Sequence, residues 1–96
     1  MSNQRLSVRY QGRVQGVGFR MNVADVARGF AVTGRVANVQ DGSVDLRAEG
    51  SQQELLRFQA AVEERLERFI VHVHPHWSEA PQQTWSDFAI GPDLER

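Results

Sequence analysis

Gly12-Arg-Val-Gln15-Gly16-Val17-Gly18-Phe19-Arg20 is the stretch from which the architecture of the chain can be read. Before it, Leu6-Ser-Val8-Arg-Tyr10 alternates apolar and polar side chains, the pattern of a strand packed on one face and wet on the other. After it, Val23, Val26, Ala27 and Phe30 recur at helical spacing. A glycine-rich turn thus joins a strand to the start of a helix, and an arginine closes it. Glycine lets backbone reach φ > 0 and approach a ligand closely. The turn frees backbone N–H groups, and the first helical turn adds unpaired donors and the positive end of a dipole. Arg20 adds a permanent charge with a forked array of donors. The expectation is an oxyanion cradle. Spelling sets aside two other phosphate loops. A Walker loop needs Gly-Lys-Ser/Thr and the chain has no lysine; a dinucleotide fingerprint needs a third glycine where Met21 stands. A plain structural turn with a surface arginine is the alternative, and a second motif weighs against it.

Reading onward, helix one is expected from Met21 to Arg28, with Gly29 as its stop signal. Val32 to Asn38 reads as strand two, Asp41-Gly42 as a hairpin turn, and Val44, Leu46 and Ala48 as the inner face of strand three, opposite Asp45, Arg47 and Glu49. Ser51-Gln-Gln-Glu54 is a capping box that starts helix two. Its apolar stripe is Leu55, Phe58, Val62, Leu66 and Phe69, and Glu63, Glu64 and Glu67 fall with Arg57, Arg65 and Arg68 on a solvated side. Strand four is expected over Val71 to Trp77, and a short last strand over Trp85 to Ile90 with Phe88 and Ile90 facing in. The order β-α-β-β-α-β plus a short C-terminal strand predicts an α+β, ferredoxin-like split βαβ sandwich, an antiparallel sheet with two helices on one face. That fold hosts many functions, so function rests on the site.

Ninety-six residues fit one domain, 1–96. Hydrophobic residues at 41% and charged ones at 24% favour a folded chain over a disordered one. No apolar run reaches bilayer-spanning length, and the N-terminus lacks the apolar core of a signal peptide, so no membrane association and a cytoplasmic location are expected. The absence of cysteine excludes disulfide scaffolds, cysteine–metal sites and cysteine nucleophiles. A net charge of −1 lacks the electrostatic footprint of a nucleic-acid binder.

Gly34-x-Val36-x-Asn38-x-x-x-Gly42-x-Val44-x5-Gly50 is the second motif. Asparagine before a turn is ordinary turn chemistry. In a ferredoxin-like sheet, however, strands one and three are neighbours and strand two lies beyond three. The cradle and the end of strand two then face one rim, where the Asn38 amide can hold a water against a cradled group. With Gly12-x-Val14-Gln15-Gly16-Val17-Gly18-Phe19-Arg20, and with Trp77-x-x-x-Pro81 and Phe88-x-Ile90 near the end, the chain resembles the acylphosphatase family over nearly its whole length. The resemblance implies metal-free hydrolysis of carboxyl-phosphate anhydrides. It assigns catalytic roles to Arg20, which binds the phosphate, and Asn38, which positions the attacking water. The backbone of Gln15, Gly16, Val17, Gly18, Phe19 and Arg20 would bind phosphate. No cofactor is expected, the partner is a small acyl phosphate, and a monomer is expected. The cradle carries no covalent nucleophile and no general base. A loose phosphoryl transition state needs positioning and charge stabilisation more than protein acid–base work, so direct, substrate-assisted water attack is coherent. Two departures stand out: Arg35 replaces an aromatic, predicting altered surface packing, and the junction after helix two is short.

His72, His74 and His76 alternate and would share one face of strand four. With Val71, Val73 and Trp77 as the buried set, the histidines sit exposed on an edge, and no metal site is assigned to them. The alternative function is a catalytically silent module that holds phosphate or carbamoyl phosphate. An RNA-recognition domain would need aromatics where Arg9, Asp45, Arg47 and Glu49 stand, and a heavy-metal carrier would need Cys-x-x-Cys.

Overall fold

The structure, a computed structural model, describes residues 3–95. Alternation in the first strand is realised in full: Leu6, Val8 and Tyr10 are completely buried along β1 (Gln4–Gly12). There follow α1 (Phe19–Ala27), β2 (Thr33–Asn38), β3 (Val44–Gly50), α2 (Gln52–Arg65), a 3-10 turn (Glu67–Phe69), β4 (Ile70–Glu79) and β5 (Phe88–Ile90). The sheet order is β4-β1-β3-β2-β5. Its first four strands are antiparallel, with Tyr10 paired to Val44 and Val44 to Asn38 across the sheet. This is the ferredoxin-like α+β fold. The short β5 differs from the rest by running parallel to β2, so the full sheet is mixed.

Both helices cover the face that carries Tyr10. Its ring lies 5.5 Å from that of Phe19 on α1, and its hydroxyl donates to Glu63 Oε2 on α2 at 2.9 Å. Burial and the Glu63 charge hold the Tyr10 phenol well above its ordinary pKa, so it stays a donor. Glu63 is accordingly a packing partner, not part of a purely solvated helix side. Phe58 completes the core between Phe30 at 5.9 Å and Phe88 at 5.6 Å.

Several boundaries shift for identifiable reasons. α1 begins at Phe19, not Met21, because Gly18 takes the N-cap position at φ 80° and its carbonyl already accepts the Asn22 N–H at 3.0 Å. Half of the capping box forms: Ser51 accepts from Glu54 N, while the Glu54 carboxylate takes the Ala31 N–H and the Arg57 guanidinium. β4 runs the whole length of β1, and a register shift at Gln11/Gly12 turns Val71 outward, 70% exposed, in place of the expected burial. Ile90 is likewise 42% exposed, although Phe88 packs inward as expected. Trp85 lies outside β5, on the face of the sheet opposite the helices. There it sits against the guanidiniums of Arg5, Arg47 and Arg35 at 5.1, 5.4 and 6.0 Å. The segment around it buries Glu49, which is 2% exposed and takes the Thr84 N–H and the Arg5 guanidinium.

Candidate active site

Between β1 and α1 the chain turns through Gly16 at φ 78° and Gly18 at φ 80°. A residue with a Cβ resists that region, so the glycines permit the turn. Among the described residues, no backbone or side-chain acceptor takes the N–H groups of Gln15 through Arg20. Arg13 N bonds Phe69 O at 2.9 Å and anchors the entry to the turn. The Gln15 carboxamide braces the middle, donating to Val39 O and Ser43 O at 2.8 Å each. The cradle is thereby fastened to the β2–β3 turn. That turn is set by Asp41, which accepts from Ser43 N at 2.9 Å, and by Val39 N on Ser43 O at 2.9 Å. Gln15 therefore uses its side chain as a structural brace, while its backbone belongs to the row of unpaired donors.

Arg20 falls on the first turn of α1, where its charge adds to the positive end of the helix. Its guanidinium lies 3.7 Å from Asp93 Oδ1. Asp93 belongs to a C-terminal segment that runs beside β2: Gly91 N bonds Val36 O, Leu94 N bonds Asn38 O, and Gln40 N bonds Leu94 O. Arg20 and Asn38 thus meet the same short segment at adjacent residues. The Asn38 side chain lies on the pleat row of Val44 and Tyr10, on the helix-covered face. Its Oδ1 is buried and has no hydrogen-bond partner. No described protein group donates to it, so its acceptor capacity is open to a water or a ligand. The cradle opens on a cleft of about 320 Å³ lined by Gly16, Gly18, Arg20 and the apolar Val14, Met21 and Ile90.

The structure thus brings together the expected site residues: the cradle from Gln15 to Arg20 and Asn38 share one rim. Val17 and Phe19 contribute their backbones there while their side chains pack against or within the core. Sequence reading missed Asp93. Gly91-Pro92-Asp93 carries only turn chemistry, and nothing local tells that it returns to Arg20. The three histidines stand elsewhere, exposed on the edge strand β4, where His74 Nε2 meets Gln11 Oε1 at 3.0 Å. Among the described residues no three His, Asp or Glu side chains converge as a metal site. Arg35 is partly exposed, and its guanidinium takes up Asp87 at 3.0 Å and the Trp85 face, away from the cradle. No helix among the described residues is long and apolar enough to cross a membrane.

Known proteins resemble this chain in sequence and in fold. The Acylphosphatase family profile matches residues 6–90. Acylphosphatase 2 of Ralstonia nicotianae is 47% identical over 60 residues, an alignment covering 62% of this chain and 63% of that protein. The chain therefore spans less than two thirds of that relative's length. The acylphosphatase of Methanospirillum hungatei JF-1 is 36% identical over 90 residues, which cover 94% of this chain and 99% of that protein. The crystal structure of the acylphosphatase from Bacillus subtilis superposes with a TM-score of 0.72 at 26% identity, covering 95% of this chain and 97% of that one.

Proposed function

The chain belongs to the acylphosphatase family, and from that premise we propose that it hydrolyses acyl phosphates to a carboxylate and phosphate. The phosphoryl group sits in the turn, its oxygens on the N–H groups of Gln15 through Arg20 and on the Arg20 guanidinium. The positive φ of Gly16 and Gly18 and the Gln15 brace support a turn that needs little reorganisation as charge develops in the transition state. Asn38 holds a water in line with the acyl oxygen. As the water oxygen bonds to phosphorus, the phosphorus–acyl oxygen bond breaks and the carboxylate departs with its electron pair. The water proton passes to a phosphoryl oxygen. No side chain in the turn need act as nucleophile or base. Arg20 and the backbone dipoles supply the charge that a metal supplies elsewhere, so the reading needs no cofactor. The protein is read as a monomeric, cytoplasmic, single-domain enzyme.

The observation that carries this reading is the buried, partnerless Asn38 Oδ1 on the same rim as the unpaired donors and Arg20. Turnover of acetyl or benzoyl phosphate tests it. Arg20→Ala is expected to lower kcat/KM by about 10³–10⁵, as for catalytic arginines in phosphoryl transfer. Asn38→Ala should cost about 10²–10³, as for the loss of one preorganised group. Either variant turning over substrate at the unmutated rate removes the role given to that residue. Binding of inorganic phosphate without turnover would leave the silent module instead.

A further inference from the structure

Asn22 stands in the first turn of α1, and its side chain folds back on the start of the helix. Its Nδ2 donates to the Gly18 carbonyl oxygen at 2.9 Å, beside its own backbone N–H at 3.0 Å. Two donors from one residue therefore hold a single carbonyl. Asparagine is a poor helix former because its side chain competes for backbone groups, and here that competition is directed at the cap. α1 opens without a side-chain cap, since Gly18 has no side chain, and its first turn holds no acidic residue. Helix ends fray, and the second donor on the Gly18 carbonyl resists that fraying.

The carbonyl matters because of what shares its peptide unit. The Gly18–Phe19 peptide is planar and trans, so its C=O and N–H point in opposite directions. The Phe19 N–H is one of the cradle donors without an acceptor among the described residues. Holding the carbonyl back along the helix sets that N–H toward the cradle. Gly18, at φ 80° and ψ 19°, has no Cβ to restrict rotation of this peptide. A peptide turned the other way would present an oxygen, not a donor, to an anion. Asn22 itself lies outside the wall of the cleft, where Gly18, Phe19, Arg20 and Met21 stand.

We propose that Asn22 is a positioning residue: its carboxamide fixes the Gly18–Phe19 peptide so that the Phe19 N–H meets the phosphoryl group as charge develops on it. This rests on the reading of the turn as the phosphate cradle.

The test uses the full chain and reads benzoyl phosphate turnover, inorganic phosphate binding by NMR and urea stability on the same variants. Asn22→Ala removes the donor and brings in the better helix former, so stability should be held. Its kcat is expected to fall by about 5–20-fold while KM moves by less than about threefold, because the N–H is freed to turn and is not lost. In saturating phosphate the Phe19 amide shift should be smaller than in wild type, while the Gln15 to Val17 amides keep theirs. Asn22→Thr brings in no better helix former than asparagine, but its hydroxyl can donate to the same carbonyl one turn back, and it should return kcat to within about threefold of wild type. An Ala variant that keeps wild-type kcat or the full Phe19 shift, or a Thr variant as slow as the Ala one, overturns the proposal. Wild type that neither turns over benzoyl phosphate nor shifts its cradle amides with phosphate overturns the cradle reading itself, and this proposal with it.

Discussion

Asp93 sets a negative charge 3.7 Å from the Arg20 guanidinium, with both groups partly in solvent. An ion pair of that kind contributes little stability. Its consequence falls on an incoming phosphate, for which the carboxylate is both a competitor for Arg20 and a like charge. Asp93→Asn is expected to lower the inhibition constant of inorganic phosphate by about 3–10-fold at low ionic strength, an advantage that shrinks as salt screens it. A constant unchanged at every ionic strength would show that this carboxylate does not sense the anion. Among individual residues, those whose work is backbone chemistry were legible in sequence. Gly16 and Gly18 adopt the positive φ that the turn demands. Asp93 was not legible, because its approach to Arg20 depends on Leu94 pairing with β2. The Gln15 brace was missed for a similar reason: its acceptors lie on the next hairpin.

The segment between β4 and β5 is the element least apparent from the pattern of the chain. Alternation assigns Glu49 to the wet side of β3, and that holds only while nothing lies over it. Instead Thr84 and Trp85 come down on that face, and Glu49 becomes their anchor through the Thr84 N–H and Arg5. Burial alone would raise the Glu49 pKa, but the Thr84 and Arg5 hydrogen bonds and the Arg5 charge outweigh it, and the net shift is downward. A carboxyl whose folded pKa lies below its unfolded one stabilises the fold fully above the ordinary value of 4.5. That contribution is lost as pH falls through the folded value. Stability measured by urea titration should therefore drop on acidification below that point, and the drop should be shallower in Glu49→Gln. Trp85 fluorescence should report the covering segment loosening in that variant already at neutral pH. Equal pH slopes in the two proteins would refute the anchor. The helices, by contrast, declared themselves, because apolar stripes and a serine cap act locally. Even so, Glu54 leaves its half of the box for Ala31 and Arg57, a choice made by the neighbouring loop.

Across the molecule, topology is what converts two distant motifs into one site. Placing β3 between β1 and β2 lines up Tyr10, Val44 and Asn38 in one row, with the glycine-rich turn rising from one end and the asparagine at the other. The order of elements was readable from hydrophobic period and turn chemistry. The mixed character of the sheet was not, since three residues of β5 carry too little pattern to tell which neighbour they join or in which direction. β5 then brings Ile90 to the cleft, and the segment that continues along β2 brings Asp93 to Arg20. An NMR titration with inorganic phosphate, following backbone amides and the Asn38 carboxamide, addresses the whole account. Saturable shifts should be concentrated at the amides of Gln15 through Arg20 and at the Asn38 side chain, with the β4 histidines and Trp85 unmoved. Shifts centred on the β4 or Trp85 face, or amides of the turn that stay still in saturating phosphate, would contradict it.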